Sequence, residues 1–201
     1  MDLLLIRHGQ THLHKEDTMV GWTNDPGLDV EGQLQVKKLA EHIRQSLANF
    51  HFEVIYTSPL PRAKQTAEIL GAILDIPLLV DDTLKDINMG DWAGQSVAAV
   101  GTSDIGRRYF LDPVGIRLPN GEEIADVLKR VIPTVECIRR KVLNSSAILV
   151  SHLEVIKLVT AYYTHHDLHN LHSLGKIPTA SGRMILFSRE NVQIKPILYS
   201  Q

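Results

Sequence analysis

The stretch Leu3, Leu4, Leu5, Ile6, Arg7, His8, Gly9, Gln10, Thr11 decides the fold. Four aliphatic residues in succession read as a strand buried on both faces, the kind that parallel sheets contain. In open α/β sheets, ligands gather at the carboxyl ends of such strands, and His8 falls at that end. Gly9 would let a ligand approach the backbone with no Cβ in the way. Arg7 offers a planar fork matched to phosphate oxygens, and Thr11 adds a hydroxyl. A neutral imidazole beside a guanidinium can attack phosphorus. Taken alone, the histidine also fits a polar residue closing a turn, so the remaining chain has to decide.

Outward from this stretch, apolar runs alternate with helical periodicity, which predicts an α/β three-layer sandwich with a largely parallel central sheet. Val36, Leu39, Ala40, Ile43 and Leu47 recur at helical spacing and predict an amphipathic helix over Glu31 to Ala48. Val54 to Thr57 reads as a strand. Pro61 suits the first turn of the next helix, where its missing N–H costs nothing. Arg62 then sits among the unpaired N–H groups of that turn, which attract anions. A short strand over Leu78 to Val80 leads towards Asp86. Ile124, Leu128, Val131, Val135, Ile138 and Val142 mark a long helix that Pro133 should kink or split. Ala147 to Val150 is a second buried strand, ending at Ser151 and His152 as the first ends at Arg7 and His8. Met184 to Phe187 and Val192 to Ile197 read as final strands joined by a turn around Arg189 to Asn191.

Composition is that of an ordinary globular protein. The 201 residues are expected to form one domain, with no linker dividing them, and carry a formal net charge of −2. That charge offers no general attraction to nucleic acid, so an anion would need a local cluster. The single cysteine, Cys137, excludes an internal disulfide and fits a reducing cytoplasm. No apolar run approaches the roughly 18 residues of a membrane span, and Met1 to Ile6 is too short for a signal peptide. Neither membrane nor nucleic acid is expected as a partner.

The chain resembles the histidine phosphatase superfamily, the phosphoglycerate mutase-like enzymes. The likeness begins with Leu5 to Thr11 and continues through Gly21, Trp22, Asn24, Asp25, Pro26, Leu28 and Gly32. It extends to Thr57, Ser58, Pro59, Leu60, Arg62, Ala63, Gln65, Thr66 and Ala67, and to Leu84, Asp86, Gly90, Trp92 and Gly94. Pro119, Gly121 and Glu122, then Val150, Ser151 and His152, complete it in the family's order. The resemblance implies that His8 is the nucleophile that becomes phosphohistidine and that Asp86 is the general acid and then base. It implies that Arg7, Arg62 and His152 bind the transferring group, with Gly9, Gln10, Thr11, His14 and Gly21 also holding the substrate. No cofactor or metal is required. The implied partner is a small phosphorylated substrate, with homo-oligomerisation left open.

The chain departs from the family's pattern at several positions. Asp86 stands where many members have Glu, which shortens the acid arm, and His14 stands where Asn commonly helps to hold phosphate. Leu153 replaces a usual Gly and should narrow the pocket, while Glu154 beside it should repel phosphate. Glu123 replaces a usual Ser. Residues 95–118 are expected to form a lid, with Arg107, Arg108, Tyr109, Phe110 and Arg117 facing an anionic substrate or, equally, forming a solvated face. His165, His169 and His172 are spaced to share one helix face, yet no carboxylate or cysteine completes a metal set. The same holds for His8, His12 and His14. Within the family, a compact chain ending at Gln201 favours hydrolysis over mutase chemistry. A phosphate-binding module with little turnover is the alternative from another class.

Overall fold

Leu3 to Ile6 do form an interior strand, and the rest of the sheet is built around them. The computed structural model describes residues 2–22, 27–141, 145–188 and 191–197. In chain order these contain β1 (Asp2–Arg7), α1 (His12–Lys15), α2 (Val30–Ser46), β2 (Phe52–Thr57), α3 (Pro61–Leu74), β3 (Leu78–Val80) and α4 (Val97–Thr102). There follow α5 (Asp104–Leu111), α6 (Ile124–Lys141), β4 (Ser146–Ser151), α7 (Leu153–Thr164), β5 (Gly182–Phe187) and β6 (Val192–Ile197). Asn24, Asp25 and Pro26 of the family-like loop lie outside the described residues, as do Val142 and the turn residues Arg189 and Glu190.

The strands form one mixed sheet in the order β3-β2-β4-β1-β5-β6. Strands β3, β2, β4 and β1 are mutually parallel, while β5 runs antiparallel to β1 and β6 antiparallel to β5. Alternation along β1 divides its side chains between two cores. Leu4 and Ile6 pack with Val36, Leu39, Ala63 and Leu70 of α2 and α3. Leu3 and Leu5 pack on the other face with Val131 and Val135 of α6 and Val155 and Val159 of α7. This is the expected three-layer arrangement.

Two local details differ from the sequence reading. Helix α6 is continuous through Pro133 rather than split. Pro133 and Lys129, whose carbonyl loses its N–H partner, are both on the exposed face, where water can replace the missing bond. Gly9 makes room for a helix. A Cβ there would stand 2.8 Å from the Gly32 carbonyl oxygen, and one on Gly32 would stand 2.1 Å from that of Gln10. The first turn of α2 therefore lies directly against the loop that carries His8. Among the described residues, no helix is long and apolar enough to cross a membrane.

Candidate active site

The parallel register places the candidate side chains together at the carboxyl ends of β1, β4 and β2. Arg7 pairs with Ser151 across β1 and β4, and the His8 N–H donates to the Ser151 carbonyl at 3.1 Å. On the other side of β4, the Ser58 N–H donates to the Val150 carbonyl at 3.1 Å. His8, Ser58 and His152 thus leave neighbouring strands together, and all three are buried. The His8 and His152 ring centroids are 5.2 Å apart, and His14 stands 5.2 Å from His8 on its other side. Arg62 lies in the first turn of α3, directly after Pro61, and is fully buried.

Hydrogen bonds assign the His8 tautomer. Its Nδ1 is 2.8 Å from the Gly9 carbonyl, an acceptor only, so Nδ1 carries the proton and Nε2 keeps its lone pair. Arg62 Nε donates to that Nε2 at 3.2 Å. Burial, reinforced by the nearby Arg62, His152 and Arg7, holds the His8 pKa well below its ordinary value. The imidazole is therefore neutral, and its Nε2 is unprotonated with the lone pair accepting from Arg62.

Arg62 also donates through Nη2 to Asp86 Oδ2 at 2.9 Å and to the Gly21 carbonyl at 3.2 Å. One guanidinium thus joins the two residues expected to perform the chemistry. Burial raises the Asp86 pKa; Arg62 opposes the shift and Glu154 adds to it. Two further nitrogens are buried without a hydrogen-bond partner, Arg7 Nε and His152 Nδ1. His152 Nδ1 lies 3.6 Å from Asp86 Oδ2, and its Nε2 is 2.9 Å from Ser58 Oγ. Arg7 is steadied by Nη1 donating to the Ile177 carbonyl at 2.7 Å. Unpaired buried polar groups cost stability unless a ligand fills them, so Arg7, and His152 in its Nδ1-protonated tautomer, have capacity for an oxyanion.

The loop carrying Asp86 is braced from outside. Arg130 of α6 donates to the Thr83, Lys85 and Asp86 carbonyls at 2.6, 2.8 and 2.7 Å and pairs with Glu122 at 2.9 Å. Trp22 Nε1 donates to the Asp86 carbonyl at 2.6 Å, and Ser151 Oγ to the Leu84 carbonyl at 2.8 Å. Arg130 carries no sequence signal, because a charge beside the apolar stripe of an amphipathic helix is ordinary.

These groups face a cavity of about 350 Å³, whose wall includes Arg7, His8, His14, Arg62 and Asp86. Of the remaining expected residues, His152 stands beside His8 but is not part of the lining, and Gly9, Gln10, Thr11 and Gly21 bear on the site indirectly. The Gly9 N–H donates to Thr66 Oγ1 at 3.0 Å, and Gln10 Nε2 to Asp29 Oδ2 at 3.2 Å. The Thr11 N–H donates to His14 Nδ1 at 3.3 Å, which makes Nε2 the protonated nitrogen of His14. Burial and the two arginines lower the His14 pKa to about 4.

Residues 95–118 contribute Val97, Tyr109 and Phe110 to the wall. Arg107, Arg108 and Arg117 are exposed and outside it. Arg107 pairs with Asp104, and Arg117 with Asp126 and Glu123, which also takes Glu123 out of the site. The base of this segment is joined to the loop after α1 by a bond from the Met19 N–H to the Gln95 carbonyl at 2.9 Å and one from the Val97 N–H to the Asp17 carbonyl at 2.9 Å. Asp17, Thr18, Met19 and Val20 line the cavity and carried no sequence signal. Leu153 and Glu154 do stand in the wall, and so does Lys157. Lys157 could have been noticed as a lone charge within Val155, Ile156, Leu158 and Val159.

His165, His169 and His172 do not share a helix face. Helix α7 ends before His165, which caps it in the left-handed conformation. His169 bonds Asp112 at 2.8 Å, and His172 Nε2 lies 3.2 Å from the Tyr109 carbonyl. Among the described residues, no cluster of three metal-ligating side chains occurs.

Comparison with known proteins agrees with this fold. The model of the histidine phosphatase superfamily (branch 1) matches residues 3–197. The phosphoserine phosphatase 1 of Hydrogenobacter thermophilus is 28% identical over 195 residues, 96% of this chain and 90% of that one. A 2,3-bisphosphoglycerate-dependent phosphoglycerate mutase of Bartonella quintana is 30% identical over 159 residues, 74% of each chain. The solved structure of Bacillus stearothermophilus YhfR superposes with a TM-score of 0.87 at 26% identity, covering 97% of this chain and 95% of that one.

Proposed function

The chain belongs to the histidine phosphatase superfamily, and from that premise we propose that it hydrolyses a small phosphomonoester through a phosphohistidine on His8. The observation that carries the reading is the His8 tautomer: Nδ1–H is held by the Gly9 carbonyl and Nε2 turns its lone pair towards Arg62.

In the first step Nε2 bonds to phosphorus and the ester P–O bond breaks, while protonated Asp86 gives its proton to the departing alkoxide. In the second, water attacks phosphorus as Asp86 takes its proton, the P–N bond breaks and inorganic phosphate leaves. Arg7 and Arg62, with the unpaired His152 Nδ1, stabilise the oxygens of the transferring group. Residues 95–118 close the cavity as a lid within a single domain, a role supported by Tyr109 and Phe110 in its wall. A cytoplasmic enzyme fits a chain with the lone cysteine Cys137.

A second reading, phosphoryl transfer to another substrate hydroxyl, is favoured by the likeness to the phosphoglycerate mutase. Phosphate release from a panel of alkyl and aryl phosphomonoesters, compared between wild type and His8→Ala, tests the proposal. Release that disappears in His8→Ala is expected, with a labelled phosphoenzyme trapped under alkaline quench. A wild type that releases no phosphate but exchanges label between phosphoglycerates would replace hydrolysis by the mutase reaction.

A further inference from the structure

Beyond the phosphate-binding groups, the cavity wall carries two opposite charges that the chemistry does not use. Lys157 is only 6% exposed, yet it makes no hydrogen bond or ion pair with any described residue and lines the cavity. Its stem is buried in α7 while its ammonium, unpaired, opens onto the cavity, the way a long cationic side chain covers apolar surface and keeps its charge accessible. Glu154 lines the same cavity, and its Oε2 is buried with no hydrogen-bond partner. The helix dipole favours an acid in the first turn of α7, but gives no reason for that oxygen to be buried.

The two residues are three apart on one helix, a spacing at which Glu and Lys readily pair. No ion pair forms between them. Each charge is therefore open to a ligand, and they lie side by side. Glu154 is close enough to Arg7 and Asp86 to influence both. Lys157 follows His152 by five residues, about 7 Å further along the helix axis. Both thus border the space that the alcohol portion of an ester would fill once its phosphate is on His8.

We propose that Glu154 and Lys157 form a subsite for a zwitterionic leaving group: an alcohol bearing an ammonium, bound by Glu154, and a carboxylate, bound by Lys157. The substrate class is an O-phosphorylated amino acid or a close analogue. The subsite rests on the proposed function for the position of the phosphate at His8. It also gives Glu154 a use: a carboxylate that would oppose a purely anionic substrate becomes a selecting group when the leaving portion carries a positive charge.

The test compares O-phosphoserine, phosphoethanolamine, 3-phosphoglycerate and propyl phosphate, which present both charges, the ammonium, the carboxylate and neither. We expect kcat/KM to be highest for O-phosphoserine, roughly tenfold or more above propyl phosphate. Lys157→Met, close in volume to the native side chain, should reduce the preference for O-phosphoserine over phosphoethanolamine by about tenfold. Glu154→Gln should similarly reduce its preference over 3-phosphoglycerate. Calorimetric affinities of the same four compounds for His8→Ala make the comparison without turnover. Equal handling of charged and neutral esters, or preferences that neither variant moves, would overturn the subsite while leaving the phosphatase reading intact. Absence of turnover with a Lys157- and Glu154-dependent preference in binding would do the reverse.

Discussion

Arg62 Nη2 donates to Asp86 Oδ2 at 2.9 Å, yet burial still raises the Asp86 pKa above its usual value. A cation so near would ordinarily hold the carboxyl down. Here desolvation exceeds it, with help from the Glu154 charge. A raised pKa keeps a larger fraction of Asp86 protonated at a given pH, as a proton donor requires. Phosphorylation of His8 by an alkyl ester should therefore slow as pH rises through the Asp86 pKa. On the acid side His8, its own pKa pushed well down, stays neutral.

Asp86→Asn should slow that step about 10²–10⁴-fold for an alkyl ester. For a nitrophenyl ester, whose leaving group needs no proton, the loss should be much smaller. Single-turnover rates with both esters, across pH, make the measurement. Equal slowing of the two would remove Asp86 from the proton-transfer role.

In the proposed reaction Arg130 acts only through the Asp86 loop, as a positioning residue. Its guanidinium serves three carbonyls and Glu122 at once, which a lysine ammonium cannot reproduce. Arg130→Met should lower stability by about 3 kcal/mol, because Glu122 loses its partner in a largely buried place. It should also lower kcat more than it raises KM, with Arg130→Lys recovering little. Chemical denaturation and steady-state kinetics on both variants check this. An unchanged kcat in a folded Arg130→Met protein would reduce the network to a purely structural brace.

Gly9 separates two explanations of one residue. If it existed for a ligand's approach, Gly9→Ala would raise KM and leave the melting temperature alone. The added Cβ instead meets the Gly32 carbonyl oxygen and Val36 Cγ2, each at 2.8 Å, so destabilisation by about 1–3 kcal/mol is expected. Because the Gly9 carbonyl orients His8, kcat should fall as well. A melting curve identical to wild type would favour the ligand-approach explanation.

Much of this site was legible before any coordinates. The aliphatic runs ending at His8 and His152 could only be interior strands, and parallel strands present their carboxyl ends together. Pro61 marked the turn that seats Arg62. What escaped reading depends on contacts distant in sequence. Arg107 and Arg117 look like anion ligands in one dimension, but acids at Asp104, Glu123 and Asp126 take them up on the surface. Gly9 has a partner, Gly32, that periodicity cannot show. Pro133 was expected to interrupt α6, but the fold places it on the helix's wet side. Lys157 was visible as a charge in an apolar helix, yet only the tertiary structure shows it bordering a cavity rather than a partner.

The depressed histidines make stability depend on pH in a definite direction. His8 and His152 are held well below the ordinary value of 6.5, and His14 is lowered to about 4. In the unfolded chain all three take protons as pH drops through 6.5. In the folded protein they do not, so their contribution is fully present above 6.5 and declines as pH falls. Each supplies a slope of about 1.4 kcal/mol per pH unit once the unfolded form is protonated. For His14 the loss runs from 6.5 down to about 4, below which both states are charged. Asp86 works the other way, because its raised pKa lets the folded state hold a proton that the unfolded state has released, but it is one group against three. Unfolding free energy should therefore drop between pH 6.5 and 4, and His14→Asn should make that decline shallower by about one group's slope. Urea melts of both proteins at half-unit pH steps measure it. Superimposable pH slopes would mean that His14 is as free to protonate in the folded protein as in the unfolded chain, and the buried, neutral imidazole beside His8 would have to be abandoned.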